Sequence, residues 1–257
     1  MEFINLLPAF LLILIRILAF FTVMPIFSYR NVPARFRVGL AFYLAWIMLF
    51  TIEDPIIVID SAYFLLVLKE VLFGLFVGLV AMMLMYAIQV AGGFIDLIMG
   101  LMMATVIDPQ TGAQTPLFGS YLYAFAMLFL LAVDGHHLLL DGIYYSYQFV
   151  PINQPFLPLG DEKLLEFVVT TFNTMFIIAF QMAFPIVGSL FLVDIALGMV
   201  SRAVPQMNVF VVGLPLKMLV GFPLVMLFLG VFFVLVQQLF EKIIITMRTL
   251  MQIFGGV

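Results

Sequence analysis

The sequence predicts an all-α membrane protein: about six long apolar helices, helical hairpins and a C-terminal amphipathic helix. Three observations carry this. Of 257 residues, 66% are hydrophobic and only 9% are charged, where a soluble domain is nearer a quarter charged. The mean hydropathy is +1.28, more apolar surface than a soluble fold can hide. The polar residues fall in short breaks between long apolar runs. A single integral-membrane domain over residues 1–257 is expected.

A membrane span needs about 20 mostly apolar residues. Residues 3–27 meet this, with Arg16 inside and Pro25 near the end. The run lacks a basic start, carries Glu2, and continues past Phe21 without a small-residue cleavage site, so a retained span is expected here and not a signal peptide. A basic break with Arg30, Arg35 and Arg37 follows, then a shorter apolar run over 38–52, closed by Glu53, Asp54 and Pro55. Residues 63–91 form a long run admitting Lys69 and Glu70; as neighbours in sequence, these two are not expected to face each other on a helix. Gly74 and Gly78 make a GxxxG spacing, which lets a second helix approach closely.

The next break, Gly92–Pro116, holds Asp96, Asp108 and the methionines Met99, Met102 and Met103. Its first part, to Met103, reads as a helix end. An apolar run over 117–133 follows, then the largest polar region, 134–166. Residues 167–200 form another span, with breaks expected at Pro185 and Gly188. The last run, 209–236, carries Pro215, Lys217 and Pro223. Residues 239–255 change character: Phe240, Ile243, Ile244, Met247, Leu250, Met251 and Phe254 recur at helical spacing, with Glu241, Lys242, Thr246, Arg248, Thr249 and Gln252 opposite. That pattern predicts an amphipathic helix lying on a membrane surface or docked on a partner. Arginines in the first break would make it cytoplasmic. With six crossings, however, Lys242 and Arg248 land outside, so the charge pattern conflicts with a simple serpentine.

Several classes of chemistry lack support. There is no cysteine, hence no disulfide, thiol nucleophile or thiolate metal site. A net charge of −4 argues against nucleic acid. No phosphate-cradling or nucleophile-elbow motif is present, and no catalytic residue, cofactor or metal is assigned. Asp134, His137 and Asp141 would share a helical face and offer a metal two oxygens and an imidazole, but the preferred reading is a polar span boundary. The charges inside apolar runs are Arg16, Lys69, Glu70, Asp96, Asp194 and Lys217. At membrane depth such charges are paired or functional, and helix-to-helix or subunit-to-subunit pairing is preferred over an ion pathway. Residues 94–101 and 192–199 echo each other, each with an Asp, a Gly four residues later (Gly100, Gly198), then a Pro-Gln (Pro109-Gln110, Pro205-Gln206). A shared structural role is the favoured explanation.

Three stretches, Ser28–Ala41, Met99–Pro116 and Val193–Lys217, resemble the FliR/SctT family: flagellar biosynthetic export proteins and their injectisome relatives. The third is the most specific, through Asp194, Arg202, Pro205, Gln206, Asn208, Pro215 and Lys217. The resemblance extends along essentially the whole chain. It implies a non-enzymatic subunit of the type III export gate in the bacterial cytoplasmic membrane, at the flagellar basal body. There it would pack with FliP-type and FliQ-type subunits in a helical multi-subunit assembly, near FlhB and FlhA, around a channel for unfolded export substrates. In that setting Asp96, Gly100, Asp194, Gly198, Arg202, Pro205, Gln206, Asn208, Pro215 and Lys217 are expected at subunit contacts or as family motif.

The resemblance also implies a channel plug over 104–118: Ala104, Thr105, Ile107, Asp108, Pro109, Gln110, Thr111, Gly112, Gln114, Thr115, Pro116 and Phe118. The residue types permit it. Prolines and glycine keep the backbone out of helix, which at membrane depth requires protein or a water-filled lumen around it. Met99, Met102 and Met103 would pad the constriction with adaptable side chains. Two alternatives stand beside this: the same role in a virulence injectisome, and a small-solute or ion transporter using Asp96 and Asp194.

Overall fold

The computed structural model describes residues 2–29, 32–52, 57, 59, 62–104, 106–107, 114–158, 160–206 and 208–256. Among them are seven α-helices: α1 (Glu2–Val23), α2 (Ala34–Leu49), α3 (Tyr63–Met99), α4 (Leu117–Ala132), α5 (Gly135–Phe149), α6 (Glu162–Ala203) and α7 (Val209–Gly255). Between α3 and α4 lie a 3-10 turn, Leu101–Ala104, and two strands of two residues each, β1 (Val106–Ile107) and β2 (Gln114–Thr115). The all-α membrane class is correct. Arg30 of the basic first break, and Glu53 and Asp54, lie outside the described residues.

Four helices are long and apolar enough to cross a membrane: α1 over Asn5–Val23, α3, α6 and α7; α4 and α5 together pass as one broken span. Helix α2, at 16 residues, is too short to cross alone. The others exceed the need. At 1.5 Å per residue, the 37, 42 and 47 residues of α3, α6 and α7 give rods of about 55–70 Å, near twice the hydrocarbon thickness. Helices this long carry charges well beyond one bilayer, which removes the basis for assigning sides by a simple serpentine.

Three sequence expectations change. Helix α6 runs unbroken through Pro185 and Gly188, where breaks are expected, and α7 likewise runs through Pro215 and Pro223. Each proline forfeits one backbone bond, but in apolar surroundings breaking the helix would forfeit several. The polar region 134–166 contains α5, whose buried Gly135, Leu139, Ile143 and Tyr147 recur every four residues. Its composition hid a helical period. The amphipathic segment 239–255 is not a separate helix but the last third of α7. Its apolar face is already covered within the chain: Leu239, Phe240, Ile243, Met247, Leu250, Met251 and Phe254 are all buried.

The chain divides into two compact units. Unit 1 comprises residues 1–84, 134–172 and 241–257. Here the GxxxG spacing acts as expected. A Cβ on Gly74 would stand 2.4 Å from the Arg16 carbonyl oxygen, and one on Gly78 3.0 Å from that of Phe20, so α1 lies directly against α3. Phe10 of α1 meets Phe42 of α2 at 5.1 Å, edge to face. The end of α7 closes the unit: Phe254 sits 5.7 Å from Phe73, and Gly255 leaves no room for a Cβ beside the Phe149 carbonyl.

At the centre of unit 1 is a buried ionic cluster. Arg16 and Glu70 are fully buried and Lys69 is 3% exposed. The Arg16 guanidinium donates two bonds to the Glu70 carboxylate, one to Ser146 Oγ at 2.9 Å and one to the Val150 carbonyl at 3.0 Å. Lys69 Nζ donates to the same carboxylate and to the carbonyls of Pro151 and Ile152. The ring of Tyr147 lies 3.7 Å beneath the guanidinium carbon. Lys69 and Glu70 therefore do meet, against the expectation from helical spacing. Both side chains are long enough to turn inward, and burial drives the Lys69 ammonium onto the Glu70 carboxylate that Arg16 also holds.

Unit 2 comprises residues 85–133 and 173–240. Phenylalanines knit α4 to α7: Phe129 lies 5.2 Å from Phe233, and Phe118 lies 5.7 Å from Phe222. The interior among α3, α4, α6 and α7 is nearly closed. Its residual cavity, beside Ala91, Leu122, Pro185 and Val225, measures about 20 Å³, about what a single water needs. The other faces of α6 and α7 are apolar and exposed, with Phe191, Leu192, Phe210, Leu219, Met226 and Leu227 between 55% and 77% accessible. Apolar surface this extensive requires lipid or protein against it.

Candidate functional site

The break between α3 and α4 is built from its two ends inward. Helix α3 stops at Met99 because Gly100 adopts a left-handed backbone, φ +78°, the usual glycine stop. Leu214 of α7 fills the space where its Cβ would be, 2.3 Å away. Met99 is fully buried and packs against Gly221 of α7, whose Cβ would approach the methionine Cε to 2.6 Å. Helix α4 begins after Pro116, an N-cap with no side-chain bond of its own.

The missing cap comes from α3. The Asp96 carboxylate, 1% exposed, accepts the Phe118 N–H at 3.1 and 3.2 Å through its two oxygens. A negative group at a helix start satisfies orphan donors and the positive end of the helix dipole. The two helices also touch backbone to backbone: a Cβ on Gly92 would sit 2.2 Å from Gly119 Cα. The break is thus pinned where α3 ends and α4 begins. Within it, β1 and β2 pair antiparallel, Val106 opposite Thr115 and Ile107 opposite Gln114.

The sequence-predicted plug residues divide accordingly. Pro116 and Phe118 belong to the pinned end of α4, with Phe118 buried. Ile107, Gln114 and Thr115 lie in the strand pair, and Met103 and Ala104 in the 3-10 turn. Thr105, Asp108, Pro109, Gln110, Thr111 and Gly112 lie outside the described residues. The three methionines separate in role: Met99 is core, while Met102 is 48% exposed. Met102 borders an open groove of about 330 Å³ along α3 with Tyr86, Gln89, Phe94, Leu97 and Pro116.

The second family-like stretch forms the turn from α6 to α7. Asp194 pairs with Lys217 Nζ at 2.6 Å, the side chains 33% and 18% exposed. Asn208 starts α7 by accepting the N–H groups of Phe210 and Val211 at 3.1 and 3.4 Å, the standard N-cap arrangement. Arg202 closes α6 in its last turn, where a cation favours the negative helix end. Arg202, Pro205, Gln206 and Pro215 are exposed, and Gly198 has nothing within 4 Å of a Cβ. The echo between Asp96 and Asp194 has a structural counterpart. Each carboxylate, near the end of a long helix, reaches the early turns of the next helix across a break.

The contact residues Gly92, Gly119, Leu214 and Gly221 were not singled out as partners from the sequence. Gly92 and Gly119 are 27 positions apart, and only the fold brings them together. The visible signal was small residues inside apolar runs.

Comparison with known proteins bears on this arrangement. A family model described as "Bacterial export proteins, family 1" matches residues 7–243. The chain is 55% identical over 253 residues to the flagellar biosynthetic protein FliR of Bacillus subtilis (strain 168), covering 98% of each. It is 28% identical over 231 residues to FliR of Escherichia coli (strain K12), covering 90% of this chain and 87% of the relative. It is 29% identical over 209 residues to the Yop proteins translocation protein T of Yersinia pestis, covering 80% of each.

Proposed function

We propose that this chain, which belongs to the bacterial export proteins of family 1, is a structural, channel-forming subunit of the flagellar type III protein export gate. It works in the bacterial cytoplasmic membrane, at the flagellar basal body. Its exposed apolar helix faces pack against FliP-type and FliQ-type subunits and lipid, with FlhB and FlhA as further neighbours. The segment from Ala104 to Phe118 closes the pore through which unfolded flagellar proteins leave. The flagellar assignment draws on 55% identity along nearly the whole length of a flagellar relative; the 29% identity to an injectisome relative supports the shared export role.

The observation that carries the plug reading is the pinned break. A segment that must stop a pore and then yield needs fixed ends and a middle free of helix. The Asp96 bond to Phe118 and the Gly92–Gly119 contact fix the ends, and the β1–β2 pair turns the chain back on itself. Non-helical backbone at membrane depth is tolerated where protein or water satisfies it, as in a channel. Against the transporter alternative stands the Asp96 carboxylate, buried and engaged as the cap of α4.

Deleting Pro109–Gln114 is the test. The gate should still assemble with its partner subunits, and cells carrying it should leak ions and small solutes. An assembled gate with no added leak would overturn the plug assignment.

A further inference from the structure

The sequence places Asp134, His137 and Asp141 on one helical face, but the structure groups different side chains. Asp134 is not helical. It has φ +55°, the one positive φ outside glycine among the described residues, and immediately precedes α5. Its carboxylate makes no capping bond to the helix it precedes. It turns to the His137 ring instead, with Oδ1 3.6 Å from Nδ1. The His136 ring stands 4.0 Å from that of His137. One donor atom from each of Asp134, His136 and His137 lies within 4.8 Å of the others. Nδ1 of His136 is buried without a hydrogen-bond partner among the described residues. Asp141 lies elsewhere, along a groove with Tyr145 and Arg248.

We propose that Asp134, His136 and His137 form a binding site for one divalent transition-metal ion of the zinc class. The donor set is two imidazoles and one carboxylate, which suits zinc, nickel or copper and not the all-oxygen preference of magnesium or calcium. Zinc–nitrogen bonds of about 2.0–2.1 Å require the three donors to draw closer together. The Asp134 and His137 side chains, 76% and 65% exposed, are free to rotate for this. The start of α5 opposes a cation through its dipole, so the Asp134 charge is what makes the site favourable. Water completes the coordination, as in open three-ligand sites.

The experiment uses the full chain purified in detergent, with Zn²⁺ titrated against a chromophoric chelator and Co²⁺ as a spectroscopic probe. Expected are one zinc per chain, a Kd in the micromolar range, and Co²⁺ d–d bands. His136→Gln, His137→Gln and Asp134→Asn should each weaken binding at least tenfold, while Asp141→Asn leaves it unchanged. His137 is exposed, so H137Q should keep the metal-free melting temperature but lose the rise that zinc gives the parent chain. Wild-type binding no tighter than that of the His136→Gln/His137→Gln double variant overturns the site. An Asp141→Asn loss as large as that of His136→Gln overturns this choice of ligands.

Discussion

Both units place ionised side chains inside apolar helices, and they treat them in opposite ways. In unit 1, Arg16 has four bonds and Lys69 three acceptors, all from within the chain, and none of Arg16, Lys69 and Glu70 is more than 3% exposed. In unit 2, Asp194 and Lys217 share one short contact and remain 33% and 18% exposed. The first arrangement closes its own account: desolvation is offset internally, and no partner is needed. Among the described residues the second leaves lone pairs and ammonium protons over, for water or a neighbouring chain to satisfy. The difference separates charges satisfied within this chain from charges left open to water or to a neighbouring chain.

The largest expected effect follows from the imbalance in the buried cluster, which has two cations and one carboxylate. Glu70→Ala leaves Arg16 and Lys69 unpaired in an apolar interior, a loss of about 3–5 kcal/mol. The variant should accumulate poorly in membranes and melt far below the parent in detergent. Normal accumulation and an unchanged melting temperature would mean that the cluster does not hold unit 1, and the contrast between the units would fall.

Smaller effects come from the glycine contacts, where the units are alike. Gly74→Ala would push α3 off the α1 backbone, and Gly92→Ala would push it off α4; each Cβ would lie 2.2–2.4 Å from a backbone atom. Overpacking of this kind costs about 1–3 kcal/mol. Gly198→Ala, with open space around it, should gain up to about 1 kcal/mol through helix propensity. Thermal unfolding of the three variants measures this directly. A Gly92→Ala chain as stable as Gly198→Ala would show that α4 is free to shift, and that the break is not pinned.

How much of this was legible depended on the range of the interaction. The GxxxG at Gly74 and Gly78 is a local spacing, and its meaning survived intact. The apolar runs gave the helices because lipid-length hydrophobicity is a sum over neighbours. Helix α5 is masked by its polar composition, although Leu139, Ile143 and Tyr147 spell the period out. Arg16 and Glu70, 54 positions apart, carry no local pattern that joins them. Each was legible as a costly charge, but the bond between them was not. The candidate site divides in the same way. Asp96 stood out as a carboxylate near a helix end, yet its partner is a backbone N–H 22 residues on, which no side-chain motif can announce. The reach of α7 over residues 239–255 was missed for a related reason. A change from all-round apolar to one-sided apolar marks where the helix leaves one environment for another, not where the helix stops.

The smallest effect on stability, and the sharpest on the comparison, belongs to Asp194 and Lys217. A partly exposed pair contributes about 1 kcal/mol or less, so Asp194→Ala, Lys217→Ala and the double variant should all melt close to the parent. Their effect should fall on assembly instead: recovery of the complex with partner subunits should drop, because charges left half-satisfied in the chain are the ones a neighbour completes. A double-variant cycle read both ways, by melting of the isolated chain and by yield of the complex, separates the outcomes. A stability loss approaching that of Glu70→Ala would make the pair a second internal clamp and dissolve the distinction between the units. Normal complex recovery with altered ion flux would return Asp194 to the transporter reading. Coupling seen in the complex yield and absent from the melting temperature is what a docking pair alone produces.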